Sequence, residues 1–193
     1  MTTAKIYDAE LDPTKDALAA RFSTLTHVEG SYRALDRDDK VGIEVLVGTD
    51  AEGALTQCGF TYREDTAALD DALSPLDHSI LGPRSVAHLT GDPVGVREFV
   101  QMILNGEPGA DFSTGEPIFA VRGTGSGNVV VDNVVVDTHD KLNSVGTLTV
   151  DGEEKRYQLR LQRIVRDQPT ADVNDLALVR EDGAILMNLG VWD

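Results

Sequence analysis

Three glycines are the first residues to weigh for chemistry. Gly123, Gly125 and Gly127 lie in GTGSGNVV, between two stretches of strand character. A glycine-rich loop in that setting lets backbone N–H groups approach a phosphate, as in the loop that covers ATP in protein kinases. The companions of that chemistry do not follow. The strand over 145–150 has no lysine, and in THDKLN (138–143) the spacing from Asp140 to Asn143 is too short for a kinase catalytic loop. A flexible hairpin turn is the plainer reading.

A second group is Asp132, Asp137, His139 and Asp140. Carboxylates with an imidazole suit a divalent cation. On a regular strand, however, Asp132 and Asp137 differ in parity and face opposite sides, so ordinary turn acids explain them better. A third group, Asp36, Asp38 and Asp39, fails the calcium-loop pattern. Lys40 and Val41 stand where that loop needs an acid or amide and then a glycine.

The fourth group is LDHSILGPRS, 76–85. Asp77, His78 and Ser79 are consecutive, and consecutive side chains cannot converge as a catalytic relay must. A structural corner with a hydrogen-bonded His78 is expected, set by Gly82-Pro83. His78 beside Arg84 in a cleft would instead make a binding site. The lone Cys58 reads as a buried, inert thiol. Trp192 is either a core plug or an exposed anchor. No catalytic set, metal site or cofactor is expected, and His78, Arg84, Gly123, Gly125 and Gly127 are the candidate ligand-binding residues.

The elements that must position these residues follow from apolar periodicity. Residues 5–11 read as a first strand. Asp12-Pro13 starts a helix whose stripe is Leu18, Phe22 and Leu25. Strands over 30–35 and 41–47 flank the turn 36–40, and a third strand runs over 55–62. Leu69, Leu73 and Leu76 have helical spacing, but Pro75 cuts it short. Turns surround a short strand near 84–89. Asp92-Pro93 starts a second helix with the stripe Val96, Phe99, Val100, Ile103 and Leu104, closed by Asn105-Gly106.

After a polar loop over 107–115, strands are expected at 118–122, 129–136, 145–150, 157–165, 176–179 and 184–189. The run 129–136 is apolar enough to be central. Residues 123–128, 137–143, 151–152 and 181–183 are turns, and 167–175 is a loop. Helices between runs of hairpins give an α+β fold with antiparallel sheets and two main helices. The chain reads as one domain over 1–193, with strand, helix, meander and helix over 1–106 and antiparallel strands over 116–193.

Bulk composition narrows the partners. The chain has 193 residues, enough for one domain with a real core. Its formal net charge is −16, which repels nucleic acid and anionic membranes. One cysteine excludes an internal disulfide and a cysteine-based zinc site. The opening residues have no apolar segment of the secretory kind, and no run is long enough to span a membrane. A cytoplasmic protein, monomeric or weakly dimeric, is expected.

Three stretches taken together carry a resemblance: AKIYDAELDPTKDAL, VGIEVLV and LDHSILGPRSVAHLTGDPVGV. They resemble the maltokinase N-terminal cap-like family. There an Ile-Tyr strand leads into a proline-started helix, and a His-Ser-x-Leu-Gly corner leads into Gly-Asp-Pro-Val. The likeness is specific at 77–82 and 91–94 and covers the first hundred residues. It implies a curved antiparallel sheet of cystatin-like architecture. In maltokinases the cap lies beside the ATP-binding lobe of an aminoglycoside-phosphotransferase-like kinase that makes maltose 1-phosphate. Stand-alone relatives of the cap occur in actinobacteria.

None of the kinase's catalytic motifs has a counterpart here. The resemblance therefore implies a non-enzymatic accessory domain of trehalose and glycogen metabolism, with a sugar kinase or another α-glucan enzyme as partner. A binder of a small sugar or nucleotide is the alternative, and an enzyme built from His78, His139 and nearby carboxylates is the third reading.

Overall fold

The computed structural model describes residues 3–166 and 175–193. The expected loop over 167–175 falls outside them except for its last residue.

The chain opens with β1 (Thr3–Ala4), a segment without regular structure, β2 (Leu11–Asp12) and helix α1 (Lys15–Phe22). The expected first strand over 5–11 is thus a strap between two short strands. The helix also starts later than Asp12-Pro13 predicts. Asp12 pairs with Asp77 in a ladder, so the cap passes to Thr14, whose hydroxyl accepts from Ala17 N at 3.2 Å. Leu25, read as part of the helix stripe, begins the next strand.

The meander is as expected: β3 (Leu25–Leu35), β4 (Gly42–Asp50) and β5 (Leu55–Glu64). Asp36 sets the β3–β4 turn. Its carboxylate accepts from the N–H groups of Asp38, Lys40 and Val41 at 3.1, 2.9 and 3.0 Å. Next come β6 (Ser74–His78) and β7 (Gly82–His88). Sequence periodicity missed β6 because Pro75 sits inside it. Pro75 is tolerated because β2 reaches only Asp77 and His78, leaving an open edge that needs no donor at residue 75.

Helix α2 (Pro93–Asn105) is capped by Asp92, whose carboxylate accepts from Val94 N at 2.9 Å. Gly106 ends it in the left-handed conformation, φ 66°. Val96, Phe99, Val100 and Ile103 are fully buried on its stripe. Each such side chain contributes about 1.5–3 kcal/mol of burial.

The second half holds β8 (Asp111–Phe112), β9 (Val121–Gly123), β10 (Val131–His139), β11 (Asn143–Val150), β12 (Glu153–Leu161), β13 (Ala177–Arg180) and β14 (Ile185–Trp192). The strand expected over 118–122 shrinks to β9. The last hairpin forms as expected.

Three sheets result: a parallel pair β1–β8, a six-stranded sheet ordered β2-β6-β7-β5-β4-β3, and another ordered β10-β11-β12-β14-β13-β9. Both large sheets are antiparallel, and one curls as a half-barrel. The apolar run at 129–136 is not central. β10 is an edge strand whose Val135 is 54% exposed, while Val134 and Val136 pack against the core. Two register shifts against β11 break its regular edge.

One core joins the halves. It takes Tyr32, Ile43, Val45 and Val47 from the first large sheet, the stripe of α2, and Leu148, Tyr157, Leu159 and Met187 from the second. Gln57 stitches the sheets further, donating from Nε2 to the carbonyls of Gln162 and Leu186 at 2.8 and 2.9 Å. Among the described residues no helix is long and apolar enough to cross a membrane.

Candidate functional site

The other face of the first large sheet carries the site. Arg33 lies opposite Glu44, Gly42 opposite Tyr62, Glu64 opposite Arg84, Arg84 opposite Leu76, and His78 opposite Leu11. The two-residue period of each strand then puts Arg33, Glu44, Tyr62, Leu76, His78 and Arg84 on one face. Helix α1 covers one part of that face. Its Leu18 and Ala19 pack on Leu46, Cys58, Phe60 and Val86 in a second, smaller core. The strap covers another part. It is pinned at one end by Ile6 N to Ser113 Oγ (2.8 Å) and Ser113 N to Ala4 O (2.9 Å). Glu10 N to Ser79 Oγ (2.9 Å) and Ser79 N to Glu10 O (3.0 Å) pin the other end.

Between helix, strap and sheet lies a cavity of about 510 Å³. That is within the usual range of small-molecule pockets, roughly 300–1,000 Å³. Gly42 carries no side chain into it, and Ile6, Leu11 and Leu81 are among its apolar lining. Lys5, Lys15, Arg33, Lys40, Arg63 and Arg84 also line it, against Asp36, Asp39, Glu44 and Glu64. For a chain of net charge −16 this is a local excess of cations.

Glu44 organises the wall. It has no exposed surface, and its Oε1 accepts from Ser31 Oγ (2.7 Å), Lys15 Nζ (2.8 Å) and Arg33 Nη2 (2.9 Å). Tyr62 donates its hydroxyl to Oε2 at 3.2 Å. Burial pushes the carboxyl pKa up, but Arg33 and then Lys15 outweigh it and hold the value at about 2. Burial, and secondly the Glu44 charge, push the Tyr62 hydroxyl well above its ordinary value. Two cations share one carboxylate, so the cluster keeps a positive charge.

Of the remaining lining acids, Asp36 is occupied, while Asp39 and Glu64 lie exposed at the rim. The Asp36 carboxylate takes the turn N–H groups and Arg97 Nη2 at 2.9 Å. Asp39 faces Lys5 at 3.6 Å, both well exposed. Arg63 is engaged too, bidentate to the buried Asp92 at 2.7 and 2.5 Å.

Of the residues read from sequence, the structure brings His78 and Arg84 together in this cavity. His78 Nδ1 accepts from Ile80 N and Leu81 N at 3.2 and 3.1 Å, so the corner is hydrogen-bonded. Accepting at Nδ1 places the proton of the neutral ring on Nε2. Desolvation, then the Arg84 charge, lower the ring's pKa and favour that neutral form. Tyr7 of the strap meets the ring edge-on, with centroids 5.7 Å apart. Arg84 Nη2 donates to Leu81 O at 3.1 Å.

The three glycines lie elsewhere. Residues 123–128 do not turn a hairpin. β9 and β10 sit at opposite edges of their sheet, and the segment between them crosses the C-terminal end of α2. Gly125 N donates to Ile103 O at 2.9 Å and Gly127 N to Leu104 O at 3.0 Å, while Gly123 N donates to Glu107 O. Their N–H groups are thus taken up, two of them by carbonyls at the negative pole of a helix, where a phosphate is repelled. The absent side chains matter: a Cβ on Gly123 or Gly125 would stand 2.1 Å from the carbonyl oxygen of Met102 or Leu104.

The acid group around His139 disperses as well. Asp132 pairs with Arg37, Asp137 with Arg156 and His139 with Asp71, while Asp140 accepts from Leu142 N and Asn143 N. No three potential metal ligands gather among the described residues. Cys58 is buried, and burial pushes its thiol up to about 12. Trp192 is 45% exposed at the end of β14. Sequence reasoning missed Glu44, Arg33 and Tyr62. A lone glutamate in the apolar run VGIEVLV was the signal that could have found them. No family model, curated protein or solved structure matches the chain.

Proposed function

We propose that the protein is a non-catalytic binding protein that holds a small molecule in the chamber between α1, the strap and the first large sheet. The observation that carries this reading is the cavity of about 510 Å³, lined by aliphatic residues of the strap and the His78 corner and by a concentration of cations. Binding is favoured over catalysis because Glu44 and Tyr62, hydrogen-bonded to each other at the wall, are held far from neutrality, and the His78 imidazole has its Nδ1 taken up by two backbone N–H groups. Glu44 sits at about 2 and Tyr62 well above its ordinary value, so neither exchanges a proton near pH 7.

The resemblance to the maltokinase cap supplies a setting for the same proposal. In it, a cystatin-like accessory domain presents its occupied chamber to a sugar kinase or another α-glucan enzyme. What supports that setting is the likeness at 77–82 and 91–94.

A thermal-shift screen of the full chain with maltose, trehalose, glucose 1-phosphate, ATP and alkyl carboxylates tests the reading. At least one compound class raises the melting temperature by several degrees, because a ligand of the native state stabilises it. Gly42→Leu fills the chamber floor and removes the shift. No shift with any class at millimolar concentration overturns the reading.

A further inference from the structure

We propose that the chamber's ligand is an organic anion with an aliphatic body, its head a carboxylate or a phosphate monoester. The inference rests on the chamber being a binding site and specifies what enters it.

The buried polar groups of the chamber that lack a partner are donors. Arg33 Nε and Arg84 Nε are both buried and neither has a hydrogen-bond partner. His78, with Nδ1 taken by two backbone N–H groups, has only its Nε2 proton to offer. No carboxylate among the described residues pairs with Arg84, although Glu64 stands opposite it across the strands. Buried donors are normally satisfied, and a buried guanidinium nitrogen without an acceptor is costly.

The buried acceptors of the chamber are taken, and its other two carboxylates, Asp39 and Glu64, are exposed at the rim. Glu44 receives four donors, and Asp36 receives three N–H groups and Arg97. A neutral sugar brings many hydroxyl donors and would find few acceptors here. A carboxylate or phosphate is acceptor-only and matches what is left over. The charge agrees: Lys15 and Arg33 share Glu44, and Arg84 has no counter-ion among the described residues.

The body of the ligand follows from the rest of the lining. Ile6, Leu11 and Leu81 present branched aliphatic surface. Tyr7, Ile80 and Leu81 stand 39%, 55% and 40% exposed around the His78 corner. An apolar chain gains by covering such surface, at about 0.8 kcal/mol per buried methylene.

Isothermal titration of the full chain with octanoate, octyl phosphate, 1-octanol, maltose and inorganic phosphate tests the class. Octanoate and octyl phosphate bind. 1-Octanol lacks the anionic head and inorganic phosphate lacks the body, so each binds at least about tenfold more weakly. Arg84→Gln weakens octanoate by about 10- to 100-fold, the range for losing hydrogen bonds to a charged group, and Arg84→Lys recovers part of the loss. Circular dichroism confirms that the variants fold. Should 1-octanol or maltose bind as tightly as octanoate, and lose binding in Gly42→Leu, the anion class is overturned while the chamber stands. Should inorganic phosphate match octyl phosphate, the aliphatic body is overturned. Should no probe bind in a way that Gly42→Leu or Arg84→Gln weakens, the chamber itself is overturned as a site.

Discussion

Arg33 Nη2 lies 2.9 Å from Glu44 Oε1, directly across β3 and β4, and Lys15 of α1 reaches the same oxygen at 2.8 Å. This three-way contact fastens the helix to the sheet at the chamber wall. Its donors are charged and its acceptor is fully buried. Removing one partner leaves the others uncompensated.

Glu44→Gln is therefore expected to cost about 3 kcal/mol of stability, read from urea unfolding at neutral pH. The pH dependence has a definite sign. The folded carboxyl pKa is lowered from 4.5 to about 2, so its contribution is present above the unfolded value and is lost as pH falls through about 2. The gap between wild type and Glu44→Gln accordingly narrows between about pH 5 and pH 2. A gap that is constant with pH contradicts the assignment.

His88 makes the opposite demand. Its ring stacks on Phe60, its Nδ1 is buried without a partner, and desolvation, then His139 and Lys141, lower its pKa, with Asp71 and Asp140 acting against them. Below the ordinary value of about 6.5 the unfolded chain takes up the proton more readily than the folded one. Stability from this residue therefore falls as pH drops through the ordinary histidine range near about 6.5. His88→Phe keeps the stacking and removes that slope, so the advantage of the variant grows on acidification in thermal unfolding.

Gly125 and Gly127 differ in how closely they sit on α2. A Cβ on Gly125 meets Leu104 O at 2.1 Å, and one on Gly127 meets it at 3.1 Å. Gly125→Ala is expected to cost about 3 kcal/mol and Gly127→Ala about 1 kcal/mol. Denaturant midpoints read the order. Equal, negligible costs would contradict the seating of this segment on the helix end.

Asp92 joins two roles, capping α2 and receiving Arg63 in a bidentate pair. Asp92→Ala removes a cap worth about 1 kcal/mol and leaves a guanidinium without its carboxylate. A total loss of about 3–5 kcal/mol is expected in equilibrium unfolding. A loss no larger than that of a simple cap would show that the ion pair adds nothing.

Local signals in the chain made several elements legible. Asp92-Pro93 and Gly106 bracket α2 because caps act through adjacent backbone groups. The β3–β4 turn is written in Asp36, and the β11–β12 turn in Asp151-Gly152, where both φ angles are positive. What depends on distant partners was hidden. Pro75 hid β6, because only the shortness of β2 makes a proline acceptable there. The valines of β10 suggested a central strand, yet bulges and packing on the core let an edge strand carry them. The chamber shows the same division. His78 and Arg84 stood out by type, whereas the lone Glu44 of an apolar run gained its partner only once register placed Arg33 opposite it.

An amide-resolved NMR titration of the full chain with octanoate locates the ligand on the molecule. Shift changes are expected to concentrate on the strap at 5–9, on Lys40 to Glu44 and on the corner from His78 to Arg84, with 123–128 unmoved. Changes centred on 123–128, or none at saturating octanoate, would contradict binding in the chamber.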